Sequence, residues 1–335
     1  MTAQSVITYF ENQGIEVRGV LIGKDYYSGV PDRISGKKVF CLEQFLKTSD
    51  KEIDLVIGHT EVTKRFVNSI CESKIHKMYL VDLSGSLALG PLEPNIYDTD
   101  FYDMNRGHLE GVRDDLVDEA SKRALDEFIY QKRTSYLWKP YTTNTQYFDE
   151  DFIQLDDNEV FVDVGAYDGD TIEQFTSKCR AFGTSWERIM AFEPSNVNME
   201  KAKQRLVHVG NIEYFTTLLW SESSFLGFQE YGKNGGMSRI DEEGSNRVYA
   251  DKFDNIVGNQ KVTFIKMDIE GSEYNALLGM ENSIRTYHPK LAVCVYHRKE
   301  DLIRIPSLIK SFNPEYRLYF RNYHFTATES VLYAI

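Results

Sequence analysis

The chain has 335 residues, of which 42% are hydrophobic and 27% are charged, and its formal net charge is −13 at pH 7. This length is enough for one large domain and one small domain. The negative charge disfavours nonspecific binding to nucleic acid or to an anionic membrane, because both of these partners are also negatively charged. The sequence contains no run of about 18 apolar residues that would predict a membrane span.

The start of the chain and its cysteines suggest where the protein works. Residues 1–11 lack a basic head followed by an apolar core, so we expect no signal peptide and a cytoplasmic location. The four cysteines are widely separated along the chain: Cys41, Cys71, Cys179 and Cys294. This spacing is not that of a disulfide framework or a zinc site, and we therefore expect reduced thiols.

Residues 1–88 are expected to form a small accessory α/β domain, because short apolar runs alternate with helical patterns there. The predicted strands are Val17–Ile22, Lys38–Cys41, Ile53–Gly58 and Met78–Leu83, and helices are expected at 44–47 and 63–74. The turn after the first strand has a single glycine, Gly23, which is weak support for a nucleotide site. A scaffold or interaction role is favoured for this domain.

Residues 89–147 are expected to form a loop and a bridging helix. The loop contains Pro91, Pro94 and Gly107, and apolar spacing predicts a helix from Leu109 to about Tyr136. The remaining residues, 148–335, are assigned to a second and larger domain.

Val160–Thr171 predicts a buried strand, a glycine-bearing turn and then a helix. Glycine lets such a turn bend tightly and approach a ligand, and open α/β sheets bind nucleotide-like cofactors at this position. Asp163, Asp168 and Asp170 crowd the turn, and their charge would repel a pyrophosphate. S-adenosylmethionine carries no phosphate and has a cationic sulfonium and an ammonium group, so the acidic turn favours it over a dinucleotide.

Three further apolar strands end in polar residues. The second ends at Glu193, which is placed to accept hydrogen bonds from a ribose, and Asn196 is expected to cap the next helix. The third ends at Asp268 and the fourth at His297. With Asp163 on the first strand, these side chains are predicted to meet at one edge of a sheet.

Four sequence blocks, FVDVGAYDGDT, AFEPSN, KMDIEGSE and VYHRKEDL, resemble in this order the FkbM-type S-adenosylmethionine-dependent methyltransferases. The resemblance covers residues 148–335. It implies an α/β fold with a Rossmann-like seven-stranded methyltransferase sheet. It also implies methylation of a hydroxyl, commonly on a sugar in glycan, polysaccharide or natural-product biosynthesis.

The resemblance also implies which residues bind the cofactor. The first turn would hold the methionine part, Glu193 the ribose, and the segment Thr216–Ser221 would flank the adenine. The full expected set is Asp163, Gly165, Ala166, Tyr167, Asp168, Gly169, Asp170, Thr171, Glu193, Pro194, Ser195, Thr217, Leu218 and Asp268. Two alternatives stay open: Asp163 could brace the turn instead, and Asp170 could be the N-cap of the following helix.

Methyl transfer to an alcohol needs a positioned acceptor and a group that takes its proton. His297 is the first candidate for the base, because histidine titrates near neutral pH, and the alternative is a structural histidine that orients the loop. Asp268 is the second candidate. Asp268 and Glu270, together with Glu273 and Asp301, could also hold Mg²⁺ through oxygen ligands, but their spacing fixes no octahedral site. Metal-independent transfer therefore stays open.

The last two strands, 316–323 and 330–335, are expected to form a hairpin that closes the sheet with one antiparallel strand. The glycine-rich segment 233–239 is interpreted as a lid or as a plain hairpin turn. The expected partner is a carbohydrate or other small-molecule hydroxyl acceptor, with no nucleic acid, and a homo-oligomer is left open. Alternatives are a non-catalytic binding or assembly protein and an N- or carboxyl-methyltransferase. A nicotinamide oxidoreductase would need a G-x-G-x-x-G turn, which residues 165–170 do not supply.

Overall fold

The computed structural model describes residues 3–12, 14–48, 53–57, 75–80, 99–134, 144–231, 237–240, 247–324 and 329–335. The chain divides into two compact units, the first made of residues 1–104, 127–139 and 324–326, and the second of residues 105–126, 140–323 and 327–335. The domain boundaries expected at residues 88 and 147 stay a prediction. Within the described ranges, no helix has the length and apolar character needed to cross a membrane.

The first unit contains short strands and helices. Its strands are β1 (Val20–Ile22), β2 (Arg33–Ile34), β3 (Lys37–Cys41), β4 (Ile53–Ile57) and β5 (Ile75–Leu80), and its helices begin with α1 (Ala3–Asn12), α2 (Lys24–Tyr27), α3 (Leu42–Thr48) and α4 (Thr99–Met104). Strand β3 pairs parallel with β1 and antiparallel with β2, while β4 pairs parallel with β5. The parallel pairing was predicted, whereas strand β2 was not predicted. The helix expected at 63–74 lies outside the described residues.

The predicted bridging helix is two helices, α5 (Arg106–Asp115) and α6 (Glu119–Thr134), so the prediction of one helix was wrong. Leu116 between them is extended, with ψ 133°, and forms an isolated parallel bridge with Leu318. The Asp118 carboxylate accepts the backbone N–H of Ser121 at 2.6 Å, a contact that starts helices. Asp118 also pairs with Arg321 at 2.8 Å, so tertiary contacts fix the break.

The described residues of the second unit form two sheets. Its strands are β6 (Glu159–Val164), β7 (Trp186–Phe192), β8 (Ile212–Phe215), β9 (Leu218–Leu219), β10 (Ser224–Tyr231), β11 (Met237–Ile240), β12 (Arg247–Asp251), β13 (Phe264–Met267), β14 (Lys290–Cys294), β15 (Leu318–Asn322) and β16 (Ser330–Ala334). Its remaining helices are α7 (Asp170–Phe182), α8 (Asn196–Arg205), α9 (Phe253–Val257), α10 (Glu273–Leu278), α11 (Glu281–Tyr287) and α12 (Asp301–Phe312).

The larger sheet has seven strands in the order β15-β16-β14-β13-β6-β7-β8. Strand β16 is antiparallel to both of its neighbours, and β14, β13, β6, β7 and β8 pair in parallel. The predicted Rossmann-like sheet and its closing hairpin are therefore confirmed. Parallel strands are buried on both faces, which accounts for the nearly continuous apolar runs in their sequences.

An aromatic cluster fills one side of this sheet. The ring of Phe161 stacks on Phe175 with centroids 4.3 Å apart, and Phe148 lies 5.7 Å from Phe264 and 5.9 Å from Phe161. All four side chains are buried. Because close-packed interiors resist deformation, this cluster gives the carboxyl ends of the strands a rigid base.

The second sheet has the order β11-β10-β12-β9 and is inserted between β8 and α9. Strands β10 and β11 pair antiparallel, with Tyr231 opposite Met237. The glycine-rich segment that was interpreted as a lid or a turn therefore includes the start of β11, while residues 232–236 lie outside the described residues. Leu218, Phe228 and Ala250 form the small core of this sheet.

Candidate active site

A cavity of about 460 Å³ lies at the carboxyl ends of the parallel strands. The order of the sheet reverses next to β6, and open α/β sheets bind ligands at such a switch point. Predicted site residues that line the cavity are Gly165, Tyr167, Asp170, Thr171, Glu193, Pro194, Thr217, Leu218, Asp268 and Glu270. Others do not contribute to its lining: Asp163, Ala166, Asp168, Gly169, Ser195 and His297.

The first turn needs glycine at two positions. Gly165 has φ +84°, and a Cβ there would lie 2.0 Å from the carbonyl oxygen of Asp268. Gly169 has φ +85° and precedes α7, and a Cβ there would lie 2.8 Å from Cδ1 of Leu206. The turn therefore brings the backbone after β6 against the backbone after β13, at the wall of the cavity.

Asp163 braces the turn from inside the protein. Its side chain is fully buried and lies 2.9 Å from Nζ of Lys266, which also donates to the carbonyl oxygen of Gly165 at 2.8 Å. Burial raises the pKa of Asp163 to about 6, although the neighbouring ammonium opposes the rise. Burial would lower the pKa of Lys266, but Asp163 and Asp268 raise it, so the lysine stays charged. This geometry favours the bracing alternative over direct contact with the cofactor.

The other two aspartates of the turn have different surroundings. Asp168 lies 2.5 Å from Nη2 of Arg205, and it does not line the cavity. Asp170 does line the cavity, and its Oδ1 accepts the backbone N–H of Thr171 at 2.7 Å. The N-cap position of α7 is occupied by Gly169, so the alternative that placed Asp170 there was wrong.

Glu193 connects the turn after β6 to the turn after β7 through hydrogen bonds. Its Oε2 accepts the backbone N–H of Tyr167 at 3.0 Å, and its Oε1 accepts that of Ser195 at 2.9 Å. The side chain is only 6% exposed, and this burial raises its pKa despite the two hydrogen bonds. Ser195 is the N-cap of α8, because its Oγ accepts the backbone N–H of Asn198, and the prediction that Asn196 would be the cap was wrong.

An apolar wall closes the cavity beyond Glu193. Thr217 and Leu218 were predicted to flank the adenine, and both line the cavity. Sequence reasoning missed Phe228 and Ile240, which line it from the inserted sheet. The alternation of Leu226 and Phe228 in the sequence gave one signal of a half-buried strand there.

Asp268 lies at the centre of a hydrogen-bonded network on the opposite side. Its Oδ2 accepts the hydroxyl of Tyr147 at 2.8 Å, and its Oδ1 lies 3.5 Å from the hydroxyl of Tyr296. Burial would raise the pKa of Asp268, but the charges of His297 and Lys266 and the Tyr147 hydrogen bond lower it overall. Asp268 is therefore ionised at neutral pH. Tyr147 was missed because it belongs to none of the four sequence blocks.

His297 does not line the cavity, and its side chain is 8% exposed. Its Nδ1 lies 2.9 Å from Oε1 of the fully buried Glu273. Burial would lower the pKa of His297, but Glu273 and the neighbouring Asp268 and Glu270 raise it to about 9. An imidazolium has no lone pair with which to accept a proton, so this arrangement favours the orienting alternative over a general base.

Strained backbone is concentrated at the cavity. Eight non-glycine residues among those described have positive φ, and four of them line the cavity: Tyr147, Tyr167, Glu270 and Glu329. Glu329 accepts a hydrogen bond at 2.6 Å from Gln146, which also lines the cavity. Such strain persists only where the surrounding structure enforces it, and it is common at functional sites. Sequence reasoning missed both members of this pair.

The predicted Mg²⁺ ligands do not assemble as an all-oxygen site. Within the described part of the chain, the group whose potential ligand atoms lie within 4.8 Å of one another is Asp268, Glu273 and His297. Asp301 contacts Arg304 at 2.7 Å instead. Mg²⁺ prefers oxygen ligands and water, so a donor set that includes an imidazole does not fit it.

Comparison with known proteins shows which proteins this chain is similar to. A sequence profile of the methyltransferase FkbM domain matches residues 163–326. The crystal structure of the methyltransferase FkbM from Methylobacillus flagellatus KT aligns with 96% of this chain and 84% of its own, at 23% identity and a TM-score of 0.68, which shows a shared fold. No curated protein sequence matches the chain significantly.

Two other structures are similar over about half of the chain. An rRNA methylase from Streptococcus thermophilus covers 54% of this chain and 87% of its own, with 16% identity and a TM-score of 0.34. Fibrillarin from Aeropyrum pernix, with bound S-adenosyl-L-methionine, covers 55% and 70%, with 9% identity and a TM-score of 0.35. From the profile match, residues 163–326 form a methyltransferase FkbM domain, and the chain is an S-adenosylmethionine-dependent methyltransferase.

Proposed function

We propose that this enzyme transfers the methyl group of S-adenosylmethionine to a hydroxyl of a carbohydrate or another small molecule. The observation that carries the proposal is the division of the cavity into two chemically different halves. We name as the cofactor half Gly165, Tyr167, Thr171, Glu193, Thr217, Leu218 and Phe228, and as the acceptor half Gln146, Tyr147, Asp268, Glu270, Tyr296 and Glu329.

The cofactor half suits an adenosine. Each oxygen of Glu193 accepts one backbone N–H, and an ionised carboxylate has about four acceptor positions, so capacity remains for two ribose hydroxyls. Leu218 and Phe228 offer an apolar surface for the adenine ring. The methionine part would then lie along the backbone at Gly165, where no side chain fits.

The acceptor half suits a neutral, hydroxyl-rich molecule. Asp268, Glu270 and Glu329 are hydrogen-bond acceptors, and the hydroxyls of a sugar are donors that match them. Asp268 is our candidate for the group that takes the acceptor proton, because it is ionised and faces the cavity. The carboxylates would repel an acidic acceptor, which disfavours the carboxyl-methyltransferase alternative.

The proposal is tested first by calorimetric titration with S-adenosylhomocysteine, with NAD⁺ run in parallel. We expect micromolar binding of the first ligand and none of the second. Formation of S-adenosylhomocysteine is then measured with sugar glycosides that match in ring structure but carry a hydroxyl, an amine or a carboxylate. Turnover of the hydroxyl compound supports the proposal, turnover of the amine alone favours N-methylation, and cofactor binding without turnover favours the assembly alternative. A cytoplasmic location and a homo-oligomer remain predictions.

A further inference from the structure

A buried series of hydrogen bonds links the last two strands to Tyr147, which lines the acceptor half of the cavity. The hydroxyl of Tyr333, on β16, accepts the backbone N–H of Tyr147 at 2.9 Å and lies 2.5 Å from the hydroxyl of Tyr323. The hydroxyl of Tyr323 donates in turn to Oδ2 of Asp149 at 2.8 Å. We call these three contacts the hydroxyl chain. Tyr333, Tyr323 and Asp149 lie outside the cavity lining, so their effect on a ligand there is indirect.

The hydroxyl chain has one consistent direction. A backbone N–H only donates and an ionised carboxylate only accepts, so each tyrosine hydroxyl between them accepts one hydrogen bond and donates the next. Tyr333, Tyr323 and Asp149 are all buried. Burial raises the pKa of Tyr323 and Tyr333, which keeps both hydroxyls protonated and able to donate. A buried network in which every member is satisfied is rigid and specifies one arrangement.

The far end of the hydroxyl chain is anchored at Asp149. Oδ1 of Asp149 accepts the side-chain amide N–H of Asn144 at 2.8 Å and the backbone N–H of Asp151 at 3.1 Å. Nε of Arg321 lies 3.8 Å from Oδ2, the oxygen that accepts from Tyr323. These contacts fix the carboxylate, and it therefore fixes the tyrosine hydroxyl that donates to it.

The near end of the hydroxyl chain holds Tyr147 in a strained backbone conformation. Its φ is +66°, a value that a residue with a side chain adopts only where the surroundings enforce it. The hydrogen bond from its N–H to Tyr333 is one such contact. In this conformation the hydroxyl of Tyr147 donates to Oδ2 of Asp268 at 2.8 Å, and the ring lies 5.3 Å from Nζ of Lys266. The backbone angle and the direction of the hydroxyl are therefore set together.

A second contact ties the same segment to the terminal hairpin. Nε2 of Gln146 donates to Oε2 of Glu329 at 2.6 Å, and the backbone carbonyl of Glu329 accepts the N–H of Tyr323 at 3.1 Å. The hairpin thus holds the segment on both sides of Tyr147, at Gln146 and at Asp149. These ties locate the segment, whereas the bond to Tyr333 acts on Tyr147 itself.

From these contacts we propose that Tyr333 is a positioning residue for methyl transfer: it holds the backbone of Tyr147 and thereby directs the hydroxyl that orients Asp268. The inference rests on the proposed function, in which Asp268 takes the acceptor proton. A displacement of about 1 Å at a catalytic group can cost about 10²-fold in rate even when the altered residue is remote from the reaction. Tyr333 should therefore affect turnover without affecting cofactor affinity.

The first test is Tyr333→Phe, which deletes only the hydroxyl and keeps the ring. We expect turnover of the hydroxyl-bearing glycoside to fall about 2–12-fold, the equivalent of one neutral hydrogen bond, with unchanged affinity for S-adenosylhomocysteine. Tyr316→Phe is the matched control, because it deletes another buried hydroxyl, which donates to the carbonyl oxygen of Pro289 at 2.8 Å. This control should turn over as the parent does. Tyr323→Phe should have an intermediate effect, since Tyr333 keeps its bond to Tyr147.

The double variant Tyr147→Phe/Tyr333→Phe tests whether Tyr333 acts through Tyr147. If it does, its loss matters only while the Tyr147 hydroxyl is present, so the double variant should turn over at the rate of Tyr147→Phe alone. A merely structural role would lower turnover again by the same factor. Such multiplicative effects would overturn the proposal, as would full turnover in Tyr333→Phe. Circular dichroism verifies folding, and Tyr323→Phe replaces Tyr333→Phe in the same comparison if the latter does not fold.

A measurement without acceptor separates this inference from the proposed function. Nuclear magnetic resonance of the full chain, with tyrosine isotopically labelled at Cζ, gives a resonance for Tyr147 that is assigned by its loss in Tyr147→Phe. We expect this resonance to move in Tyr333→Phe and to stay in place in Tyr316→Phe. An unmoved resonance in Tyr333→Phe would overturn the positioning, whether or not a glycoside is methylated. A resonance that moves in a protein that methylates no hydroxyl keeps the positioning of Tyr147 and loses only the proposed function.

Discussion

The two halves of the cavity are built in different ways. The cofactor half comes mostly from short contiguous segments at strand ends, and its key carboxylate, Glu193, has a backbone N–H donor on each oxygen. The acceptor half combines residues from distant parts of the chain, such as Tyr147 and Glu329, and three of its residues have positive φ against Tyr167 alone among the non-glycine residues of the cofactor half. It also borders a buried nitrogen of His297 that lacks a hydrogen-bond partner.

This difference suggests a division of labour. Groups that are already satisfied and rigid can bind one constant ligand, the cofactor. Strained and incompletely paired groups cost stability, and they persist where function requires them. Substitutions in the two halves should therefore have separable effects on cofactor affinity and on turnover.

The largest effect is expected for Gly165→Ala in the cofactor half. The new Cβ would clash with the carbonyl oxygen of Asp268, at 2.0 Å, and the residue would need φ +84°. We expect destabilisation by roughly 4 kcal/mol or more and loss of S-adenosylhomocysteine binding, measured by urea unfolding and calorimetry. Gly183→Ala is the control, because Gly183 has φ +72° but nothing within 4 Å of the added Cβ, and it should cost only about 1 kcal/mol. Equal costs for the two variants would refute the clash.

Asp268→Asn should separate the two halves most clearly. Asparagine keeps the shape but cannot take the acceptor proton, so turnover should fall by about 10²–10⁴-fold. The affinity for S-adenosylhomocysteine should change by less than about tenfold, the equivalent of about 1.4 kcal/mol. A comparable loss of cofactor affinity would place Asp268 in the cofactor half instead.

Glu193→Ala should act in the opposite sense. Removing this carboxylate leaves the backbone N–H groups of Tyr167 and Ser195 without their acceptor and takes away the proposed ribose contacts. We expect the affinity for S-adenosylhomocysteine to fall by roughly 1–3 kcal/mol in calorimetry. Glu200→Ala, on the exposed side of α8, should leave the affinity unchanged. Unchanged affinity in Glu193→Ala would remove this residue from the ribose site.

Tyr147→Phe should have an effect similar in size to that of Glu193→Ala, but on turnover. The change deletes only the hydroxyl that donates to Asp268 at 2.8 Å, and the ring stays in place. A hydrogen bond to a charged group contributes about 1.5–3 kcal/mol, which corresponds to a fall in turnover of about 10–150-fold. Cofactor affinity measured on the same samples should not change. Full turnover in the variant would show that Asp268 is positioned by other contacts.

Local sequence patterns were sufficient to predict the seven-stranded sheet and ten of the residues that line the cavity. Apolar runs that end at Gly165, Glu193 and Asp268 mark strand ends, and the carboxyl ends of parallel strands share one edge. Local patterns were less reliable for helix starts: Ser195, and not Asn196, is the cap of α8. They also predicted one continuous bridging helix, whereas the chain is extended at Leu116, which pairs with Leu318.

The sequence by itself determined the fold class and the similarity to FkbM methyltransferases, because four strand-end motifs in a fixed order are local features. Only the tertiary structure decided that Asp163 pairs with Lys266, that His297 is held by Glu273, and that Tyr147 contacts Asp268. The physical reason is that burial and the pairing of charges depend on which distant segments pack together. Strand order and packing set those distances, and no local spacing of residues specifies them.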